Sequence, residues 1–274
     1  MRSRRRRIWL VLPLALALML STDGLASWSG SVKGVNFISL CRFSHRAPDD
    51  PIVYPGQPGV SHDHSFVGNT STDASSTLAS LRRARTTCRR PGDTAAYWMP
   101  TLSVGGRPVP PSGATIYYRR NALRKLRPFP AGLKMIAGDA QARRPQSVLV
   151  TYWDCGDLVN VPRSSDVPDC RDGTSLSLHV NFPDCWDAKS LLSDNQRHVR
   201  YSVNGRCPKG FPVSLPALSL VLRYPVTTAD KPVELASGGQ YSGHADFMNA
   251  WDQQALASLV ASCLNRYRHC GTGA

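Results

Sequence analysis

Apolar and polar residues alternate in several stretches of this chain. In Ser175-Leu176-Ser177-Leu178-His179-Val180-Asn181-Phe182 the apolar side chains take every second position, which leaves Ser177, His179 and Asn181 on the opposite face. That period of two predicts a half-buried β-strand. Val148 to Trp153 and Leu218 to Tyr224, rich in Val, Leu and aromatic residues, also read as strands. Helical spacing is scarcer. Asp73 to Arg85 places Leu78 and Leu81 on one face, with Ser71 or Thr72 as cap. From Asn249 or Asp252 to Leu264 a clearer helix is predicted. Trp251, Ala255, Leu259 and Cys263, then Leu256 and Val260, recur at its period, and Gln253, Gln254 and Ser258 face water. No repeat, heptad or low-complexity tract interrupts the chain, and its 21 Gly and 21 Pro are dispersed as many short turns require. The pattern predicts a mainly β fold, an antiparallel sandwich or jelly roll with a few helices, in one domain over residues 27–274.

The N-terminus departs from this pattern. Arg4 to Arg7 precede the apolar run Ile8 to Leu20, and the small residues of Gly24-Leu25-Ala26 follow. This is the order of a secretory signal peptide, expected to occupy residues 1–26. Arg6-Arg7-Ile8-Trp9-Leu10 loosely resembles a twin-arginine signal. The apolar run is shorter than the ~20 residues of a spanning helix, so cleavage is preferred over an uncleaved anchor. No later segment is apolar enough to span a membrane.

Eight cysteines follow the signal: Cys41, Cys88, Cys155, Cys170, Cys185, Cys207, Cys263 and Cys270. An even number behind a signal, none in C-x-x-C spacing, implies a disulfide frame rather than a zinc or redox motif. Nearest-neighbour pairing is the expectation. The formal charge of +14 includes five arginines and Asp23 of the signal; without them 28 basic residues face 18 acidic ones, a balance of +10. A basic surface suits an anionic polysaccharide, a teichoic-type polymer or acidic lipid, or simply solvation. Nucleic acid is not expected, because the compartment is wrong and no basic helix or interleaved aromatic motif is present.

Candidate chemistry concentrates in two segments. One is the Pro/Gly-dense run from Asp50 to Asn69 (DPIVYPGQPGVSHDHSFVGN), and the other is Ser242-Gly243-His244-Ala245-Asp246-Phe247. In extended backbone, residues i and i+2 point the same way, so His62 pairs with His64 and His244 with Asp246. If the fold joins the pairs, three imidazoles and a carboxylate converge. Asp184, Trp186 and Asp187 surround Cys185, so a disulfide would hold Asp187 as a fixed carboxylate and Trp186 as a stacking platform; a core tryptophan and a turn-forming aspartate are the plain alternative. His198 lies in a polar turn, and His179 reads as a structural histidine. Arg119 and Arg120 could grip an anion. There is no G-x-S-x-G elbow, no phosphate-binding Gly-rich loop and no H-E-x-x-H motif.

The Asp50–Asn69 run, Ala96-Tyr97-Trp98-Met99-Pro100, Phe182-Pro183-Asp184-Cys185-Trp186-Asp187, His198-Val199-Arg200-Tyr201-Ser202, Cys207-Pro208 and Gly243-His244-Ala245-Asp246-Phe247 with Trp251 occur in this order. Together they closely resemble a secreted family catalogued as a domain of unknown function. That family occurs in bacteria and in fungi, often beside WSC carbohydrate-binding modules. The resemblance covers roughly residues 35 to 265 and puts His62, His64, Asp187, His198, His244 and Asp246 at motif positions. This chain has no WSC-like module, and the resemblance brings no reaction with it.

Three readings follow. The first is a secreted or wall-associated protein acting on cell-wall or environmental polysaccharide as a lyase or hydrolase. His62, His64, His244 and Asp246 would be its acid–base groups, Asp187 and His198 would support them, and Trp186 or Trp251 would contact sugar. The second is a copper or zinc protein with His62, His64 and His244 as ligands and Asp246 as ligand or support. The third is a non-catalytic binding or structural module whose histidines brace loops.

Overall fold

The computed structural model describes residues 34–156, 162–170, 174–226 and 231–272. The expected signal peptide lies outside the described residues. Two five-stranded antiparallel sheets dominate. The first has the order β1 (Asn36–Cys41), β7 (Gly113–Arg119), β14 (Ala217–Tyr224), β10 (Leu176–Asn181) and β9 (Thr151–Asp154). The second has the order β2 (Phe43–Ala47), β3 (His64–Gly68), β4 (Ala96–Pro100), β16 (His244–Met248) and β8 (Lys134–Gly138). Two small three-stranded sheets flank them: β12 (Val199–Arg200), β11 (Cys185–Trp186) and β13 (Val213–Ser214); and β15 (Val233–Leu235), β5 (Leu102–Val104) and β6 (Arg107–Val109).

Strand alternation sets the layers. From the first sheet Ile116, Tyr118, Leu178, Val180, Leu218, Leu220 and Leu222 enter the main core. From the second, Val67, Tyr97, Met99, Met135, Ala245 and Phe247 meet them. The sheets therefore face each other across one apolar layer, the sandwich that the period of two predicted. The other face of the second sheet carries a smaller cluster of Phe66, Ala96, Trp98 and Met248, covered by Ile52 and Leu81. The outer face of the first sheet carries polar and aromatic residues, among them Tyr117, Arg119, Tyr152, His179, Asn181 and Ser219. Among the described residues no helix is long and apolar enough to cross a membrane.

Four disulfides join Cys41–Cys88, Cys155–Cys170, Cys185–Cys207 and Cys263–Cys270, the nearest-neighbour order, and no cysteine is free.

Local predictions needed trimming where short polar side chains compete with the backbone. Instead of running from Asp73 to Arg85, helix α1 is Leu78–Arg83, capped by Thr77 in a reciprocal capping box with Ser80. Asp73 accepts the Ser75 N–H and donates its own N–H to Ser76 Oγ, which turns the chain before helix can form. The strand expected from Val148 starts only at Thr151, because the Ser147 carbonyl takes both the Val150 and the Thr151 N–H in a turn. The C-terminal helix α2 is Gln253–Leu259, with Asp252 as its cap, and it continues as a π-helical segment to Leu264.

A polar chain crosses the main core. The Trp251 indole N–H donates to Tyr118, Tyr118 to Tyr97 and Tyr97 to Asp93. Burial pushes the Asp93 carboxyl up to about 7, against hydrogen bonds from Ser39, Tyr97 and the Ala95 N–H that pull it down. A carboxyl raised on folding stabilises the fold below its unfolded pKa, and that contribution is lost as pH rises through about 7. Melts of Asp93→Asn and wild type from pH 4 to 8 are therefore expected to show the difference in Tm moving in favour of the variant as pH rises. A constant difference would mean that Asp93 does not titrate in this way.

Candidate functional site

The two histidine segments meet on the outer face of the second sheet. Strands β3 and β16 lie on either side of β4 and are both antiparallel to it. His64 pairs with Pro100 of β4, and Asp246 pairs with Trp98. Two steps along each strand bring His244 level with Pro100. Strands two apart are separated by roughly 9–10 Å, and the small proline ring between them leaves room for the imidazoles to lean together. Their ring centroids are 5.8 Å apart. His62 folds over the same point, 4.2 Å from the His64 ring and 5.0 Å from the His244 ring. One ligand atom from each of the three histidines lies within 4.8 Å of the others. The intervening Asp63 turns the other way and pairs with Arg46 at 2.9 Å, as the i, i+2 rule requires.

A loop between β2 and β3 roofs the site. Its neck is closed by the Ser61 N–H on the Pro48 carbonyl. Inside it, Asp50 accepts the Ile52 and Val53 N–H groups, which turns the chain at Pro51 and sets the Asp50 carboxyl over the sheet. One ligand atom each from Asp50, His64 and Asp246 lies within 4.8 Å of the others, so His64 belongs to both groups. On the opposite flank the approach to His244 is clamped by Gln146, whose amide donates to the Tyr241 and Gly243 carbonyls. Gly138 pairs with His244 at φ +85°, and a Cβ there would lie 2.4 Å from the Gly243 oxygen. Only glycine fits that approach.

Backbone carbonyls orient two of the rings. His64 Nδ1 donates to the Asp49 carbonyl at 3.0 Å, and His244 Nδ1 donates to the Ser242 carbonyl at 2.9 Å. Each neutral ring therefore carries its lone pair on Nε2. His64 Nε2 is buried without a hydrogen-bond partner, and so are both oxygens of Asp246. His62 Nε2 sits 3.2 Å from His244 Nε2, and Asp246 Oδ2 lies 3.9 Å from His244 Nε2.

Burial governs the charges here. It presses His64 well below the usual imidazole range, with the neighbouring His62 and His244 rings adding to the effect. It brings His244 down to about 4, although the Ser242 carbonyl opposes this. His62, half-exposed, is lowered by burial despite the Asp63 carboxylate beside it. Burial lifts Asp246 well above the carboxylate range, helped by Asp50, and raises Asp50 against its two backbone N–H donors. Without a ligand the cluster is a set of neutral imidazoles next to carboxyls that hold protons unusually firmly.

The other candidate residues fall elsewhere. His198 is buried between Ser193 Oγ and the Lys134 carbonyl, and Asp187 accepts the Lys189 and Ser190 N–H groups in a turn; neither joins the imidazole group. The indole of Trp186 donates to the Ser190 carbonyl and packs against the core. Trp251 is 1% exposed and committed to Tyr118, so the expectation that it contacts sugar is corrected: no ligand reaches it. His179 pairs with Asp154 at 2.8 Å and stacks on Tyr152, a structural arrangement. Arg120 is buried, and its two terminal nitrogens donate to the Leu123, Arg124 and Leu264 carbonyls and to Asn265, so it sits in the core rather than on an anion-binding surface. The residue that sequence reasoning missed is Asp50. Its one signal was a carboxylate before Pro51 at the head of the Pro/Gly-rich run, a pattern shared by many turns.

The sequence model of one family, described as a domain of unknown function (DUF1996), matches residues 50–251, a span that begins on Asp50 and ends on Trp251. No curated protein and no solved structure matches the chain.

Proposed function

The chain belongs to the DUF1996 family, and from that premise we propose that it binds one divalent transition-metal ion, zinc or copper, through His62, His64 and His244. Asp246 is the adjoining carboxylate ligand. The observation that carries this reading is the convergence of three imidazoles, two of them fixed by backbone carbonyls so that Nε2 faces inward, beside a buried carboxylate with no hydrogen-bond partner. Metal-bound histidines characteristically donate their other ring nitrogen to a carbonyl or carboxylate, which fixes tautomer and orientation. The 3.2 Å between the His62 and His244 Nε2 atoms also suits two ligands of one ion. Tetrahedral zinc with bonds of about 2.0–2.1 Å places its ligand nitrogens roughly 3.3 Å apart. Imidazole favours zinc or copper over magnesium or calcium.

Acid–base action on a polysaccharide is less well supported by the same geometry. His64, His244 and Asp246 are 2% exposed or less, so a polymer would touch only His62. Two of the three imidazoles are also held neutral, which suits ligands better than proton donors. A purely bracing role leaves the orphaned His64 Nε2 and Asp246 oxygens unexplained. We place this chemistry outside the cytoplasm, a reading supported by the four disulfides and by the signal-like N-terminus.

The test is metal analysis of protein purified without a histidine tag. After equilibration with zinc or copper and desalting, wild type is expected to hold about one ion per chain. His64→Ala/His244→Ala is expected to hold less than about a tenth of that while keeping its near-UV circular dichroism, because structural metal affinity resides in the complete ligand set. Wild type that elutes without stoichiometric metal would refute the proposal.

A further inference from the structure

The outer face of the first sheet, on the far side of the sandwich from the histidine cluster, carries an open groove of about 670 Å³. That is the size of clefts that hold small ligands. Arg119, Tyr152, Arg163, Asn181, Tyr201 and Ser219 line it. Two features set it apart from an ordinary polar surface. Arg119 lies with its guanidinium 3.9 Å over the Tyr117 ring, and Arg163 lies 4.8 Å over the Tyr152 ring, so aromatic faces hold both cations in place. Among the described residues, neither guanidinium has a hydrogen-bond acceptor or an acidic partner.

The nearby carboxylates are already committed. Asp154 pairs with His179. Asp184 is enclosed by Ser202 and Asn121. Burial and the neighbouring Arg163 both act to lower Arg119, as expected of a desolvated cation beside a like charge. Two like charges placed side by side repel each other, and an anion that joins them relieves the repulsion. At the other end of the groove Tyr201 is 39% exposed and fixed by its hydroxyl on the Asn181 carbonyl, so a free ring face is offered at a defined angle.

We propose that this groove is a binding site for an acidic polysaccharide whose sugar units carry carboxylates, with one carboxylate held between Arg119 and Arg163 and a neighbouring pyranose ring stacked on Tyr201. The planar fork of guanidinium matches a carboxylate, and the C–H face of a pyranose matches an aromatic ring. The groove and the histidine cluster occupy opposite outer faces, so the groove anchors polymer rather than delivering it to the metal ligands. The inference is independent of the metal reading.

Calorimetric titration with trigalacturonate and with neutral galactotriose, at low and at physiological salt, tests it. Trigalacturonate is expected to bind at least about tenfold more tightly than the neutral sugar, and more weakly as salt is raised. Arg163→Glu, an exposed position whose reversal spares the core, is expected to lose at least about tenfold, and Tyr201→Ala a comparable amount. Arg119→Lys keeps the charge but not the planar fork and is expected to weaken binding as well. Equal binding of acidic and neutral trisaccharides overturns the proposal. Undiminished trigalacturonate binding by Arg163→Glu, or binding of dextran sulfate alone, overturns it too.

Discussion

Replacing Asp246 with asparagine is expected to weaken metal binding by at least about 10–100-fold, a cost already typical of losing a group that only supports the ligands, and to lower its pH dependence. The sign follows from the burial of the group. Asp246 holds its proton well above the ordinary carboxylate range because it is desolvated and lies near Asp50. A metal that takes an oxygen of Asp246 must expel that proton. Affinity therefore rises with pH over the range in which the metal-free protein keeps it, by up to about tenfold per unit for one proton. His244, at about 4, is already neutral above pH 5, His64 is lowered well below the imidazole range, and His62 is lowered by burial against Asp63, so any slope that the imidazoles add is shared by wild type and Asp246→Asn. Titrations in buffers of different ionisation enthalpy read the released proton directly. A slope in Asp246→Asn equal to that of wild type would remove Asp246 from the ligand set.

The second large effect concerns stability. Cys41–Cys88 spans 47 residues of sequence, the longest separation of the four bridges, against 7 for Cys263–Cys270. Loop-closure entropy assigns about 4 kcal/mol to the longer bridge and about 2.4 kcal/mol to the shorter. For a domain of this size 4 kcal/mol corresponds to a fall in Tm of roughly 8–16 °C. The bridge also joins β1 of the first sheet to the segment that precedes β4 of the second. Its loss is expected to loosen the two sheets against each other. Calorimetry of Cys41→Ala/Cys88→Ala beside Cys263→Ala/Cys270→Ala checks the ranking. If the short-loop variant proves the less stable of the two, chain entropy is not what orders these bridges.

Much of this architecture can be read from residue order, because strand alternation is a local property. Ser175 to Phe182 declared its two faces, and β10 buries Leu176, Leu178 and Val180 accordingly. Nearest-neighbour pairing, an expectation among the 105 that eight cysteines allow, is the set the structure shows. His62 with His64, and His244 with Asp246, were likewise legible as same-side pairs. Their meeting was not. It depends on β3 and β16 both pairing with β4, a relation across some 180 residues that no local pattern encodes. Asp50 was hidden for the same reason, since its role comes from a loop folded back over the sheet. Trp251 misled because an aromatic next to a motif looks the same in sequence whether it stacks on a ligand or anchors a core. Its indole N–H had a buried partner in Tyr118, 133 residues away.

The most direct test of the metal assignment is anomalous diffraction from crystals equilibrated with zinc or copper, with data collected on both sides of the metal's absorption edge. A single strong peak is expected within about 2.0–2.2 Å of Nε2 of His62, His64 and His244, with an Asp246 oxygen turned toward it. Density showing the three rings bonded only to one another and to water, with no anomalous peak among them, would contradict the account.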